Sequence, residues 1–167
     1  MSLPELKIRL YGDPSLRKKC AAVKEVGPGV RAVMNSMIET MHQAKGVGLA
    51  APQVGIMERF FVLDVGEGPM VIVNPKITKR SGMAALEEGC LSIPEVTIMM
   101  HRPEKISLQY MDEHNRMMKM TCDGLLARVI QHETDHLNGK LIVDYASGPE
   151  REKYRGKLKE LEAKQKE

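Results

Sequence analysis

The sequence predicts an α+β fold, on three observations: two helix-period apolar patterns and a charged terminal one, a block of short β-rich runs between them, and no regular alternation of strand with helix. Helices that flank sheets without that alternation do not build a parallel βαβ sheet. Antiparallel or mixed sheets are therefore expected, packed around a central helix, with one further helix near the N-terminus and one at the C-terminus. At 167 residues, 43% hydrophobic and 28% charged, the chain suits a single domain over residues 1–167 with one sizeable core.

Ile8 to Leu10 is a short strand candidate, and Gly12-Asp13-Pro14 after it reads as a turn. Beyond Gly27-Pro28-Gly29, the residues Val30, Val33, Met34, Met37, Ile38 and Met41 recur at three- and four-residue intervals. That spacing puts them on one face of a helix that packs on a core and stops near Gly46. From Arg59 to Thr121 the period changes. The runs RFFVLDV, MVIVNP, KISLQYM and MMKMTC, separated by Gly, Pro, Asn and Asp, read as strands close enough in sequence to pair antiparallel. A second helix opens at Asp123-Gly124, with Asp123 as N-cap, and ends at Asn138-Gly139, with Gly139 as its stop. Residues 148–167 read as a third helix, dense in Lys, Arg and Glu and anchored by Leu158 and Leu161.

The formal charge of +3, from 25 Lys and Arg against 22 Asp and Glu, is too small to mark a nucleic-acid binder, and no sequence-specific contact with nucleic acid is expected. Cys20, Cys90 and Cys122 are an odd number of thiols in a chain large enough to fold without staples, which argues for a reducing compartment. No stretch approaches the roughly 20 apolar residues that span a bilayer, and the N-terminus lacks a leader pattern, so a cytoplasmic location without membrane contact is expected.

The second helix carries the chemistry. In QHETDHLNG, His132 and His136 are four residues apart, one turn on the same helix face, close enough for two imidazoles to share a metal. Either histidine alone would read as a hydrogen-bonded core residue; the pair, with an inward Glu133 between them, reads as half a metal site. Leu125 and Val129 extend the histidine stripe, while Leu126, Ile130 and Leu137 form an adjacent stripe with Glu133. A carboxylate among apolar neighbours is costly to desolvate, and a metal-bound water is a natural proton partner for it. Arg128, Gln131, Thr134 and Asp135 fall on the opposite, polar side. Asp135 borders His132 and either orients that imidazole or is simply a solvated charge.

HExxH also describes zinc proteases, which take a third ligand downstream; the candidate here, Cys90 in LEEGCLSIPE, is upstream. Gly89 and Pro94 set its thiol on a turn or strand edge, where a thiolate beside two imidazoles leaves a position open for water. The alternative is an ordinary buried thiol, the reading kept for Cys20 and Cys122. A closed structural site would need a fourth ligand such as Cys122. In KGVGLAAPQVG, residues 45–55, glycines alternate with Val47 and Leu49, which lets backbone approach a ligand, and Gln53 offers an amide to a developing oxyanion. Leu86, Leu125 and Val129, with Val47 at the rim, could form an apolar side pocket near the metal, or could be core.

Together GVGLAAPQ (46–53), EGCLS (88–92) and QHETDH (131–136) resemble the three signature motifs of peptide deformylases, in that family's order and with similar spacing. The resemblance runs from LRKKC to the helix beyond LIVDY and looks closest to the bacterial type. It implies a hydrolase that removes the N-formyl group from N-formylmethionyl nascent peptides and releases formate. By match, Cys90, His132 and His136 hold the metal, with Fe²⁺ the native ion and Zn²⁺ or Ni²⁺ able to replace it. A metal-bound water is then the nucleophile, Glu133 the general base and acid, and the Gln53 side chain with the Leu91 N–H the oxyanion donors. Backbone at Val47 and Gly48 would pair with the substrate like an added strand. Contact of the C-terminal helix with the ribosome is also implied. Thr97 stands where some relatives carry a basic or aromatic residue, which bears on preferences along the peptide. Two rivals remain at this level: a metallopeptidase cutting internal amides, and a metal-binding module without activity.

Overall fold

The computed structural model describes residues 6–165. A five-stranded sheet has the order β1-β2-β3-β6-β7, from Gly48–Ala50 (β1), Phe60–Leu63 (β2), Met70–Ser81 (β3), Lys105–Met111 (β6) and Met117–Asp123 (β7). Ala84–Cys90 (β4) and Ile93–Arg102 (β5) form a separate hairpin. Every strand pair is antiparallel, and the parallel pairing among the described residues is an isolated bridge from Ala21 to Glu58.

The near-continuous apolar run of β2 follows from its place. Phe60 and Val62 point to one face of the sheet, with Val71 and Val73, and bury Met34, Met37 and Met41 of helix α1 (Pro28–Gln43). Phe61 and Leu63 point to the other face, with Ile72, Ile106 and Leu108, and bury Ala127, Ile130 and Leu137 of helix α2 (Gly124–Leu137). Both faces are covered, so alternation of apolar with polar residues is lost there. The far side of α2 is covered by the β4–β5 hairpin. In turn, Ile93, Val96, Ile98 and Met100 of β5 pack on Leu141, Ile142 and Val143 and on Leu161 of helix α3 (Gly148–Gln165). The α2 helix is thus central, as the sequence predicts, and Leu158 and Leu161 anchor α3; residues 166–167 of the predicted helix lie outside the described residues.

Four expectations change. Ile8 to Leu10 is not a strand: Arg9 N–H donates to the Gln53 carbonyl (2.6 Å) and Tyr11 N–H to the Ser92 carbonyl (2.8 Å), single bonds to two separate segments rather than a ladder. Arg128 and Gln131 are buried, not solvated, because α2 is covered on both sides. Asp123 occupies the N-cap position of α2 without a side-chain cap bond. The strands β1, β4 and β5 were not foreseen. The C-terminal stop of α2 is as expected: Gly139 has φ +73°, and a Cβ there would lie 2.6 Å from the Arg17 carbonyl oxygen.

Candidate metal centre and substrate cavity

Helix α2 presents His132 and His136 one turn apart, ring centroids 5.1 Å from each other, and β4 ends at Cys90 directly opposite. One donor atom from each of Cys90, His132 and His136 lies within 4.8 Å of the other two. Cys90 Sγ is 3.3 Å from His136 Nε2. His132 Nδ1–H donates to Glu88 Oε1 (2.9 Å), which fixes the ring and leaves Nε2 for the site. A thiolate with two imidazoles is a donor set suited to Zn²⁺, Fe²⁺ or a similar divalent ion. Cys122 is not part of the group; its thiol is half-buried against α2. The three-donor arrangement could therefore hold a metal and keep a position for water, and a four-ligand structural site has no support among the described residues.

Glu133 is buried, and its Oε1 has no hydrogen-bond partner among the described residues. Its other oxygen lies 3.9 Å from His132 Nε2. Burial pushes its carboxyl up to about 7, against the opposing pull of His132. Gly48 on β1 faces it so closely that a Cβ would lie 2.9 Å from Glu133 Cδ. An unpartnered carboxylate poised near neutrality beside two imidazoles can take and return a proton.

The imidazoles themselves titrate apart. Burial and the neighbouring His132 hold His136 well below the usual histidine range. His132 moves the other way: burial opposes its protonation, but Glu133, Cys90 and Glu88 outweigh that and raise it well above the ordinary value.

Gln53 is held rigid, its Oε1 accepting from Ala50 N–H (2.8 Å) and its Nε2 donating to Ser92 Oγ (3.1 Å), with Cys90 Sγ 3.6 Å away. The amide thus points toward the metal donors. Above them opens a cavity of about 360 Å³. Each sequence-predicted site residue lines it except His136, which lies beneath: Val47, Gly48, Gln53, Leu86, Cys90, Leu91, Leu125, Val129, His132 and Glu133. Leu86 and Leu125 are half-exposed on its wall, while Val129 is buried. As the end member of its sheet, β1 has an outer edge with no strand partner among the described residues, and Gly48 on it lines the cavity. Thr97 is elsewhere: its N–H and Oγ1 meet the Tyr154 hydroxyl on α3, at 3.4 and 3.3 Å, away from the cavity lining.

The sequence reading missed Glu88. Its carboxylate is buried and meets three donor side chains at once, Arg102 (2.7 and 3.0 Å), Arg128 (2.7 Å) and His132 (2.9 Å). Burial raises its pKa, but His132 and Arg102 prevail and hold it at about 2. Asp135, the sequence candidate for orienting His132, instead accepts from Arg102 (3.0 Å) and the Tyr145 hydroxyl (3.1 Å). A second acidic residue two positions before the cysteine was the available signal; nothing local says that it crosses to α2.

The model for the polypeptide deformylase family matches residues 5–152. The chain belongs to the peptide deformylase family. It is therefore an enzyme, a hydrolase, with the α+β fold of that family. A peptide deformylase of Thermotoga maritima is 44% identical over 156 residues, 93% of this chain and 95% of that one. Peptide deformylase 1 of Clostridium acetobutylicum is 49% identical over 137 residues, 82% and 91% of the two chains. The crystal structure of the Plasmodium falciparum peptide deformylase superposes with a TM-score of 0.92 at 35% identity, covering 96% of this chain and 97% of that one. Among the described residues no helix is long and apolar enough to cross a membrane.

Proposed function

We propose that the chain, as one catalytic unit, removes the N-formyl group from N-formylmethionyl nascent peptides in the cytoplasm and releases formate. The observation that carries this reading is the convergence, at one cavity, of three metal donors within 4.8 Å, the unpartnered Glu133 carboxyl and a free strand edge. Family membership supports the same conclusion.

The Cys90 thiolate and the His132 and His136 imidazoles would hold the ion, Fe²⁺ natively and Zn²⁺ or Ni²⁺ in its place. A divalent ion so bound lowers the pKa of water and polarises a carbonyl oxygen. Glu133 takes the proton of the attacking water and passes it to the departing amine, a task matched to its pKa of about 7. The Gln53 amide and the Leu91 N–H donate to the oxyanion as the formyl carbon becomes tetrahedral. The backbone at Val47 and Gly48, where β1 begins, pairs with the peptide backbone, and Leu86, Leu125 and Val129 receive the methionine side chain. Helix α3 is the proposed ribosome contact, checked by cosedimentation of the full-length and α3-truncated chains. Formate release from formyl-Met-Ala, run beside a casein digest with the iron-loaded chain, tests the activity. Formate without casein cleavage is expected; casein cleavage without formate would assign a peptidase instead.

A further inference from the structure

Arg128 has no part in the reaction as derived, yet it is buried and its guanidinium makes three hydrogen bonds. Nη1 donates to Glu88 Oε2 at 2.7 Å and to the Met100 carbonyl at 3.2 Å, while Nη2 donates to the Ala84 carbonyl at 2.8 Å. One side chain of α2 therefore grips both strands of the β4–β5 hairpin and the carboxylate that orients His132 (2.9 Å). The gripped strand bears Leu86 on the cavity wall and ends at Cys90. Arg102 already meets both Glu88 oxygens, so Glu88 is neutralised without Arg128. What Arg128 adds is the link from the helix to the backbone of the wall.

We infer that Arg128 is a positioning residue that sets the β4–β5 wall of the substrate cavity in register with the His132 imidazole, through Glu88 on one side and the Ala84 and Met100 carbonyls on the other. The planar fork places donors on two separated nitrogens, Nη1 for Glu88 and the Met100 carbonyl and Nη2 for the Ala84 carbonyl. A lysine at the same position has its three donors on one nitrogen. It keeps the charge beside Glu88 but loses the two-point span across both strands. The inference rests on the metal-site and deformylase reading above, and its test is divided accordingly.

Arg128→Lys preserves the charge beside Glu88 and is the variant expected to fold; Arg128→Met removes the charge as well. Three measurements follow. In the metal-free chain, amide exchange over residues 84–100 is expected to quicken at least tenfold in Arg128→Lys while exchange in α1 stays unchanged. Zn²⁺ affinity, read by competition with a chromogenic chelator, is expected to fall about tenfold, the lower end for residues that orient a ligand. KM for formyl-Met-Ala should rise more than kcat falls, because the wall moves more than Glu133 does. Arg128→Met should repeat these shifts more strongly. Parent-like exchange in the hairpin together with parent-like Zn²⁺ affinity in Arg128→Lys would overturn the inference. Exchange needs neither metal nor substrate, so a parent that bound no metal or released no formate would sink the site reading and still leave the wall contact decided.

Discussion

Replacing Gly48 by alanine tests the link between the edge strand and the proton carrier. The new Cβ would lie 2.9 Å from Glu133 Cδ and 3.0 Å from Cγ, where ordinary contact begins at 3.4 Å. Gly48 does not have positive φ, so the alanine backbone is unstrained and the conflict is between side chains alone. Glu133 is only 4% exposed and cannot swing into solvent to avoid it. Its carboxyl must retreat by roughly half an ångström to one ångström, and a misplacement of about 1 Å can cost on the order of a hundredfold in rate, or about 3 kcal/mol of barrier. Overpacking costs about 1–3 kcal/mol in stability. For a chain of this size each kcal/mol lowers the melting midpoint by roughly 2–4 °C. Gly48→Ala should therefore fold, melt several degrees lower, retain metal, and release formate from formyl-Met-Ala about a hundredfold more slowly, mostly in kcat. The reasoning fails if the variant keeps its kcat within about threefold of the parent.

Further variants separate the roles. Glu133→Ala should bind metal as the parent does and release no formate above background, as elemental analysis beside the formate assay would record. Gln53→Ala should lose roughly a hundredfold in kcat or more, about 3 kcal/mol for one oxyanion donor. It should also lose about 1 kcal/mol of stability with the bond to Ala50 N–H. Glu88 sets a pH dependence. Its carboxyl is held at about 2 against an ordinary 4.5, so the folded state binds the proton less readily than the unfolded one. Its contribution, about 3 kcal/mol, is present above pH 4.5 and is lost as the pH falls toward 2. Urea midpoints of the metal-free chain at pH 5 and pH 3 should therefore converge more for Glu88→Gln than for the parent; equal pH slopes would count against the pairing.

The elements legible in the sequence were those with an uncontested period. The α1 stripe from Val30 to Met41 and the α2 stripe through His132 and His136 each repeat at helical spacing; Gly139 ends α2, whereas α1 stops at Gln43 with Lys45 in the left-handed region. The hairpin escaped for a local reason. Ile93, Val96, Ile98 and Met100 are its inward residues, but the alternation slips at Pro94 and at Glu95, whose φ is +67°. Arg128 and Gln131 misled for a different one: a helical pattern distinguishes apolar from polar faces, not whether a second layer covers the polar face. Here Arg128 is buried because Glu88 and two carbonyls of the hairpin satisfy it. The His132 and His136 pair was readable because a helix sets residues four apart on one face. The carboxylate that orients His132 was not, since it arrives 44 positions away along the chain.

X-ray absorption at the edge of the bound metal tests the central claim most directly, because it counts the ligand atoms whatever the substrate. For a zinc-loaded chain the account predicts one sulfur at about 2.3 Å, two imidazole nitrogens at about 2.0–2.1 Å and one light oxygen scatterer, with the sulfur signal lost in Cys90→Ser. A spectrum without sulfur, or with two sulfurs and no oxygen, would contradict it.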